Sequence, residues 1–543
     1  MAIVSATEPV GSPNLTATRV GKAAGIMMGA ILASRILALV RNAVISGEFG
    51  QGYEADTYTA AFMVPDLLFY LIAGGALSSA FIPVFTEKIT HGKEEEASHV
   101  FSTVACVMLV VASIFLILTE VFAPQLIKYL NFGFEPDKVA ATVPLTRIVL
   151  PAQIFFLLGG LLMGVQYARQ RFLIPAMGPL VYNVGIIVGG VALAGPYGIA
   201  GLCWGALIGA LVGNFALQAW GVSKTPTRFR LSFDWKHPDV VKVWKLIIPV
   251  VLGLALPQVS IIINRMYAST LGHGAQTAIN NANQLMQVPL GIFAQAMGVA
   301  ILPTLSALHA QAKFTELRAT ASAGIRTLLF LTIPASVFMI VLAVPIIRLL
   351  LEHGKFTAAD TPVTAAALTF YAIGIFAWSA HAVLSKSFYA MQDSRTPVLI
   401  GSAVTLVFIP LNGLFMTTFG LGIRGLALAT TVAATLHMSL TLLVLRKRLK
   451  GIEGGRLLLG VARILVASAL AGGACWAVMY GLERGIPFHS VKLQAFVTVA
   501  AGLVVGLLVY LVVSYLLKSD ELRQVLTILQ RRKKPPALPP TEI

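Results

Sequence analysis

Two arginines lie inside an apolar stretch of the sequence, ILASRILALVRNAVIS at 31–46, where the nearest acidic residue along the chain is Glu48. An arginine near the centre of a membrane helix costs about 2.5–3.5 kcal/mol to insert, and it usually faces a cavity or a partner. Arg35 lies about 20 Å of helix beyond Lys22, too deep for easy contact with the membrane surface. Because guanidinium groups bind phosphate through paired hydrogen bonds, Arg35 and Arg41 predict a basic cavity that holds an anionic lipid head group. For Arg41, about 9 Å further along, a side chain that reaches the outer interface stays an alternative.

A third arginine and an acid extend this pattern to other helices. Arg265, in PQVSIIINRMYAS, follows Arg41 by 224 residues and occupies the corresponding place in a later helix. It is predicted either to join the basic cavity or to reach the membrane interface. Asp56, at the start of the second helix, is predicted either as the N-cap of that helix or as a carboxylate that orients Arg41 when no substrate is bound.

The stretch INNANQLMQ at 279–287 is polar although it opens another predicted membrane helix. Its amide side chains, Asn283 and Gln284 among them, are predicted to hydrogen-bond sugar or peptide groups in a wet cavity. The alternative is a polar helix end at the outer interface. That alternative explains Asn280 and Asn281 better than it explains Gln284.

The composition is that of an integral membrane protein. Of 543 residues, 57% are hydrophobic and 12% are charged, and the mean hydropathy is +0.82. Soluble domains carry about 25% charged residues. The net charge of +17 is explained by basic cytoplasmic loops, so no nucleic acid is expected as a partner. The sequence has no zinc-protease, P-loop or serine-hydrolase motif, and it predicts no enzyme activity, metal site or cofactor.

About fourteen apolar runs are long enough to cross a bilayer. They are predicted at 23–46, 56–87, 98–124, 141–167, 174–194, 198–220, 240–271, 278–308, 318–350, 362–390, 397–417, 422–446, 457–480 and 493–517. Basic residues gather in alternate loops, for example at 224–236 and 446–450. By the positive-inside rule, both termini are therefore predicted to be cytoplasmic.

Short segments of the chain recur at an offset of 220 to 224 residues. YARQ at 167–170 matches YAMQ at 389–392, GIAGL at 198–202 matches GIRGL at 422–426, and AFIPVF at 80–85 resembles AILPTL at 300–305. These repeats predict an all-α protein of two six-helix lobes, related by a pseudo-twofold axis along the membrane normal, plus two extra C-terminal helices. The predicted parts are a cytoplasmic N-terminal segment at 1–22, an N-lobe at 23–220, a cytoplasmic linker at 221–239, a C-lobe at 240–446, the extra helices at 457–517 and a basic cytoplasmic tail at 518–543.

Six segments together resemble the MurJ (MviN) lipid II flippases of the MOP superfamily. They are SRILALVRNAVIS at 34–46, ADTYTAAFMVPDLL at 55–68, GALSSAFIPVFTE at 75–87, LMQVPLGIF at 285–293, HGKFTAAD at 353–360 and FYAMQDSRTPV at 388–398. The resemblance runs from about residue 23 to 517. It implies a fourteen-helix protein of the bacterial inner membrane that moves lipid II, a lipid-linked peptidoglycan precursor, to the outer leaflet by alternating access.

The resemblance also implies which residues bind the substrate. In the family, first-helix arginines and an acid at the start of the second helix belong to a central cationic cavity, and they match Arg35, Arg41 and Asp56 here. Ser34 and Arg265 are assigned to the same expected site. The last two helices are expected to form a groove for the polyprenyl tail of the anionic diphosphate lipid. Cell-wall synthesis proteins are possible partners, and the sequence leaves open whether Na⁺ or H⁺ is coupled to transport.

Several cavity charges of the family are missing from this sequence. Where many members carry an arginine pair followed by a glutamate, this chain has Phe69, Tyr70 and Gly74. An Asp-Arg pair of the eighth helix is replaced by Asn283 and Gln284, and Arg265 is expected to compensate. Three alternatives therefore stay open: a flippase for another polyprenyl-diphosphate-linked oligosaccharide, an ion-coupled multidrug exporter, and a membrane scaffold without transport activity.

Overall fold

The computed structural model describes residues 13–72, 76–485 and 490–523, and within these ranges the regular structure is helical. The helices of the first half are α1 (Pro13–Phe49), α2 (Tyr53–Ala61), α3 (Met63–Ile72), α4 (Ala76–Thr90), α5 (Glu94–Leu130), α6 (Pro136–Val149), α7 (Ala152–Ala168), α8 (Leu173–Ala192), α9 (Ala194–Tyr197), α10 (Ala200–Gly209) and α11 (Leu217–Ser223). Those of the second half are α12 (Pro238–Ala268), α13 (Ala275–Pro289), α14 (Gln295–Ala310), α15 (Phe314–Val341), α16 (Ala343–Leu350), α17 (Asp360–Ile373), α18 (Ile375–Ala390), α19 (Arg395–Gly413), α20 (Gly422–Arg448), α21 (Gly454–Gly485) and α22 (Val491–Leu516). Gly74 and the tail from 524 onward lie outside the described residues.

The helices are long and apolar enough for many membrane crossings. Eleven described helical segments meet this criterion, and a bent pair, α17 with α18, makes a twelfth span. The two other predicted spans, 56–87 and 240–271, correspond to α2 to α4 and to α12. The prediction of an all-α, multi-pass membrane protein is therefore confirmed, while the count of fourteen stays a prediction.

Three predicted spans are divided where the sequence indicated one continuous helix, and one of them, 141–167, is interrupted between Val149 and Ala152. The other two breaks share one cause. The run at 56–87 breaks between Ala61 and Met63, and the run at 318–350 breaks at Leu342. Both breaks precede a proline, Pro65 or Pro345, that is the third residue of the following helix. A proline ring clashes with the carbonyl four residues earlier, so each preceding helix ends at the residue that carries this carbonyl.

A fourth predicted span, 362–390, bends by 41° between α17 and α18. At the bend the Gly374 N–H donates to the Tyr371 carbonyl at 2.9 Å, which deprives the Phe370 carbonyl of its usual helical donor. The Thr431 hydroxyl of α20 donates to that carbonyl at 2.7 Å. A Cβ added at Gly374 would lie 2.8 Å from the same hydroxyl oxygen. A neighbouring helix therefore stabilises the bend, as buried irregular backbone in a membrane protein requires.

Glycines allow α8 and α10 to pack with their backbones in contact. Gly185 and Gly189 of α8 face Gly201, Gly205 and Gly209 of α10, each set spaced by four residues. A Cβ added at Gly189 would lie 2.5 Å from the Gly201 carbonyl oxygen and 2.6 Å from the Gly205 Cα. Small residues at this spacing favour close helix association in membranes, where van der Waals packing drives the contact.

Asp393, in the loop before α19, fixes the N-terminal end of that helix. Its Oδ1 accepts hydrogen bonds from the backbone N–H groups of Arg395 and Thr396 at 3.1 and 3.0 Å. Its Oδ2 accepts from the Thr396 hydroxyl at 2.6 Å and also pairs with Arg448 of α20. Burial alone would raise the pKa of this carboxyl, but the bonds from Thr396 and Arg448 prevail and lower the pKa to about 2.

The chain forms two compact units. The first contains the described residues up to Arg41, Val64–Ala123 and Pro144–Leu254, and its core packs residues of α4, α5 and α7 such as Phe81, Val100 and Leu161. The second contains Asn42–Met63, Pro124–Val143 and the described residues from Ala255 onward. Its largest core cluster includes Leu328, Phe388 and Tyr510. The predicted division into lobes, linker and tail stays a prediction.

Candidate functional site

The predicted arginines of the first helix lie on one unbroken helix, α1. Arg35 is partly buried, and no hydrogen bond or ion pair to it is found within residues 13–72, 76–485 and 490–523. Ser34 beside it is also partly exposed. The guanidinium of Arg35 therefore keeps its donors for a ligand. Arg41 differs, because its Nη1 donates to the Asn183 Oδ1 of α8 at 3.1 Å.

Asn183 is itself held in the orientation that receives Arg41. Its side-chain amide donates to the Pro179 carbonyl at 2.8 Å, one turn earlier on α8. Its oxygen therefore remains directed to the guanidinium, and only 5% of the residue is exposed. Whether Arg41 joins a cavity or reaches the membrane interface stays a prediction. Neither the residue type nor its distance in sequence marked Asn183 as the partner.

Aromatic packing occupies part of the region where the family resemblance led us to expect charges. The Phe69 ring lies 5.5 Å from the Phe156 ring in an edge contact, and Phe156 lies 5.0 Å from Tyr182 in another. Such pairs add to the stability that burial provides. The side chain of Tyr70 lies outside the described residues, as does Gly74. The first unit thus has Arg35 on α1, without a hydrogen-bond partner among the residues that the structure describes, and an aromatic cluster around Phe156.

In the second unit, the Asp56 carboxylate is fully buried and accepts four hydrogen bonds. Oδ1 accepts from the Thr277 N–H at 2.9 Å and from the Thr277 hydroxyl at 2.8 Å. Oδ2 accepts from the Gly274 N–H at 2.7 Å and from the Lys138 ammonium at 3.0 Å. The prediction that Asp56 is the N-cap of its own helix is wrong, because α2 begins at Tyr53 after the N-cap Gly52. Asp56 instead caps α13, where unpaired N–H groups and the helix dipole favour a negative charge.

Lys138, which the sequence did not single out, balances the Asp56 charge. Its side chain is only 3% exposed, and its ammonium also lies 3.3 Å from the His273 Nδ1. The same ammonium lies 4.2 Å from the centre of the Phe134 ring. Because 82 residues separate Lys138 from Asp56, no local pattern indicates the pair. A lysine at the start of a helix after a short loop is ordinarily a solvated residue.

The motif HGKFTAAD at 353–360 packs against the end of α1 and the turn that follows it. The Lys355 N–H donates to the Gly47 carbonyl at 2.8 Å, and a Cβ added at Gly47 would lie 2.6 Å from His353 Nε2. The hydroxyl of Thr364, just beyond the motif, donates a hydrogen bond to Gln51 Oε1 at 2.5 Å. The resemblance to the family included this motif without assigning its role. In the structure the motif is joined to the end of α1 and to Gln51 by hydrogen bonds that involve its backbone.

Arg265 belongs to the same unit and is held by amides. Its Nη2 donates to the Asn280 Oδ1 at 2.9 Å, and its carbonyl accepts from Gln276 Nε2 at 2.8 Å. Gln276 also donates to Asn131 at 2.6 Å. The structure therefore places Arg265 beside the polar start of α13. Its predicted role in the substrate cavity stays a prediction.

The amides of INNANQLMQ take part in hydrogen bonds inside the second unit. Gln284 accepts from Asn42 at 2.6 Å, and Asn283 accepts from Gln287 at 3.4 Å. All three helix residues are partly exposed, whereas Asn281 is buried. The bond between Asn42 and Gln284 joins α1 to α13. The predicted role of these amides in sugar or peptide binding, and the alternative of a polar helix end, both stay predictions.

The two units each carry polar groups inside membrane helices. The first unit holds Arg35 and Arg41 on α1, with Arg41 bonded to Asn183. The second unit holds the buried Asp56–Lys138 pair beside the start of α13. In the described ranges no group of three or more His, Cys, Asp or Glu side chains could hold a metal ion. Charged side chains inside membrane helices commonly mark a binding or transport site.

The comparisons with known proteins agree with this geometry. The family model described as lipid II flippase MurJ matches residues 45–496. The chain is 31% identical to the lipid II flippase MurJ of Burkholderia cenocepacia over 429 residues, which is 77% of this chain and 82% of that protein. A solved structure of lipid II flippase MurJ in an inward closed conformation superposes with a TM-score of 0.77 at 25% identity, covering 91% of this chain and 99% of that one.

A more distant solved structure shares the fold alone. It is an inward-facing multidrug resistance MATE family transporter of the MOP superfamily, with a TM-score of 0.65 and 15% identity over 77% of this chain and 94% of that one. The family model covers most of the sequence, and the match to the MurJ structure extends over nearly the whole chain. On these grounds, and with intramembrane arginines on its first helix, the chain belongs to the lipid II flippase MurJ family.

Proposed function

We propose that this chain moves lipid II from the inner to the outer leaflet of the bacterial cytoplasmic membrane, by alternating access, during cell-wall synthesis. It is a transporter and not an enzyme. The observation that carries the proposal is Arg35, a partly buried arginine of a membrane helix without an ion pair in the described ranges. The insertion cost of such a residue is offset when its donors bind an anion, and a diphosphate matches a guanidinium in charge and geometry.

The residues proposed to bind the substrate are those that the sequence indicated, namely Ser34, Arg35, Arg41, Arg265, Asn283 and Gln284. The arginines bind the diphosphate, and the amides bind the sugar and peptide. Asp56 is proposed to act through helix position, because its four hydrogen bonds go to Lys138, Gly274 and Thr277. The long apolar helices α21 and α22 are proposed to hold the polyprenyl tail.

Alternating access requires contacts that form in one state and break in another. Asp56, Lys138, Gly274 and Thr277 form what we call the Asp56 cluster. This cluster is proposed to be such a contact, since it joins α2 and Lys138 to the start of α13. It is polar and directional, so it loses several hydrogen bonds at once when α13 moves. Outward transfer of a negatively charged head group gains about 2.3 kcal/mol per charge for each 100 mV of inside-negative potential. Whether Na⁺ or H⁺ is also coupled stays open, and both termini are proposed to be cytoplasmic.

A second candidate function is transport of another polyprenyl-diphosphate-linked oligosaccharide. Phe69 packs on Phe156 where the resemblance led us to expect a charge, and Asn283 and Gln284 are neutral. Because aromatic and amide groups replace charged side chains here, the substitution favours a substrate whose head group has fewer negatively charged groups to be bound. Multidrug export has weaker support, because the MATE transporter shares only the fold and the α1 arginines repel cationic drugs.

The test is complementation in a bacterium that has this chain as its only lipid II flippase, with outer-leaflet lipid II measured by an externally added hydrolase. Depletion is expected to abolish outer lipid II, and the wild-type chain is expected to restore it. Arg35→Ala is expected to fail, whereas the matched control Arg456→Ala, at an exposed ion pair, is expected to succeed. Outer lipid II that persists after depletion would contradict the proposed substrate and favour the oligosaccharide.

A further inference from the structure

The chain between α11 and α12 exposes large apolar side chains at every second position. This segment, residues 224–237, has neither helix nor turn from 227 to 234. The apolar side chains Phe229, Leu231, Phe233 and Trp235 are 58%, 77%, 53% and 63% exposed, and we call them the apolar ladder. The alternate residues Ser232 and Asp234 contact α5, so the ladder side chains between them point away from those contacts. Phe229, at the start of the ladder, also meets Phe101 of α5 edge-on, with ring centres 6.4 Å apart. Four such exposed residues on a polar loop require a partner surface.

The opposite face of the segment is attached to the start of α5. The Arg228 N–H donates to Ser98 Oγ at 3.1 Å, and the Arg230 N–H donates to Ser102 Oγ at 3.0 Å. Two side-chain contacts continue the series, Thr103 with Ser232 at 2.7 Å and His99 with Asp234 at 3.4 Å. These bonds fix the register of the segment within the first unit. The bonds to α5 therefore fix the direction in which the ladder side chains point.

The depth of this attachment along α5 matches the head-group layer. The exposed apolar side chains of α5 run from Leu109 to Phe122, about 20 Å of helix. A hydrocarbon core of about 30 Å extends this band by roughly 5 Å at each end. Thr103 lies about 9 Å before Leu109, so the segment lies just outside the hydrocarbon core. Trp220 at the end of α11 is 54% exposed and carries Lys224 over its ring, which is the pattern of an interfacial anchor.

The charges of the segment fit an anionic surface. Its basic residues are Lys224, Arg228, Arg230 and Lys236, all of them exposed. Its one acidic residue, Asp234, is bound to His99. Aromatic rings favour the boundary between head groups and hydrocarbon, and arginine and lysine favour the phosphates above it. A protein partner could bind this segment only if it had a long apolar groove with several acidic side chains along its edge.

We propose that residues 224–237 form an interfacial membrane anchor, with the apolar ladder at the hydrocarbon boundary of the cytoplasmic leaflet and the basic side chains on anionic lipid phosphates. The anchor depends on the membrane placement of the chain and not on the transported substrate. It fixes the connection between α11 and α12 to the bilayer and to α5. The N-terminal end of α12 is then held at the membrane surface when the rest of the helix moves during transport.

The test uses single fluorophore-labelled cysteines in a chain whose native cysteines Cys106, Cys203 and Cys475, all buried, are replaced. Labels at Leu231 and Phe233 are compared with a label at the control position His91, which is exposed in the loop between α4 and α5, in vesicles of phosphatidylcholine with one-third phosphatidylglycerol. Lipids brominated near the head group are expected to quench the two ladder labels at least threefold more than the control label. The difference is expected to shrink in vesicles of phosphatidylcholine alone.

Two outcomes would overturn the proposal. Ladder labels that aqueous iodide quenches as strongly as the control would place the ladder in water. Ladder labels protected from both quenchers would mean that protein, such as a second copy of the chain, covers the ladder. Because cysteine variants can fail to fold, a second measurement uses the native Trp235. The part of the tryptophan emission that Trp235→Phe removes is expected to be quenched by brominated lipid, and a signal without quenching would equally contradict the anchor.

Discussion

Replacing Asp56 with asparagine is expected to loosen the start of α13, because the change removes one charge of a buried pair. The Asp56 side chain is 0% exposed, that of Lys138 is 3% exposed, and the two charged groups lie 3.0 Å apart. Removal of one partner of such a pair costs about 3–5 kcal/mol, since the other charge stays buried without compensation. At 1.36 kcal/mol for each factor of ten, the open population is expected to rise on the order of a hundred- to several thousand-fold.

The assay is the reaction rate of a cysteine that only an opened cluster exposes. Ala278, which is 0% exposed and follows the Asp56 contact on α13, is replaced by cysteine in a chain without its native cysteines. The Asp56→Asn change is expected to accelerate maleimide labelling at this position in proportion to the open population. A cysteine at the exposed Tyr129 serves as the control, and its labelling rate is expected to stay constant.

The double variant Asp56→Leu/Lys138→Met distinguishes the effect of an uncompensated charge from the effect of lost packing and hydrogen bonds. It removes both charges together, so labelling at position 278 is expected to return most of the way to the wild-type rate. The reasoning would be refuted if Asp56→Asn changed the rate by less than twofold. It would also be refuted if the double variant reacted faster than Asp56→Asn, because packing and hydrogen bonds would then outweigh the uncompensated charge.

Three further changes test the fold around the site. Gly205→Ala is expected to overpack the contact with α8 and to destabilise the chain by about 1–3 kcal/mol, measured as a lower thermal midpoint in detergent. The control Gly473→Ala, which has open space around the added Cβ, is expected to leave the midpoint unchanged. Equal midpoints for the two variants would contradict the close contact between α8 and α10. Thr431→Val is expected to destabilise by about 1–3 kcal/mol, because a buried carbonyl at the α17 bend loses its donor, and an unchanged midpoint would contradict that account. The folded-state pKa of Asp393, about 2, lies below the value of about 3.9 expected for an unfolded chain, so its stabilisation is present above pH 4 and is lost as pH falls toward 2. Asp393→Asn is expected to flatten the loss of thermal stability between pH 4 and pH 3, and an unchanged slope would contradict the assignment.

The membrane fold could be predicted from the sequence because its signals are local. Apolar runs, low charge and basic loops indicated an all-α multi-pass protein without any knowledge of contacts. The helix breaks at Ala61 and Val341 were missed, although Pro65 and Pro345 mark both positions. The bend at Gly374 could not be predicted, since it depends on a hydroxyl that α20 provides 61 residues away in sequence.

The candidate site could be predicted only in part. The arginines of α1 attracted attention because a charge inside an apolar run is costly, and the structure places Arg41 against Asn183. The helix that Asp56 caps could not be identified, because the Thr277 donors lie 221 residues away in sequence. Lys138 was missed for a similar reason, since a lysine near a helix start has no local signature of burial. Spacing reveals groups that share a helix, whereas pairing between distant segments depends on tertiary packing.

The most direct measurement of the central claim is the initial rate of lipid II translocation by the purified chain in vesicles with an inside-negative potential. Fluorescent lipid II in the outward-moving pool is read by reduction with an impermeant reagent. Wild type and Arg456→Ala are expected to translocate at equal rates, and Arg35→Ala is expected to be at least tenfold slower. Excess unlabelled lipid II is expected to compete, whereas another polyprenyl-diphosphate oligosaccharide is not. Equal rates for wild type and Arg35→Ala, or competition by the oligosaccharide alone, would contradict a lipid II flippase that holds its substrate through Arg35.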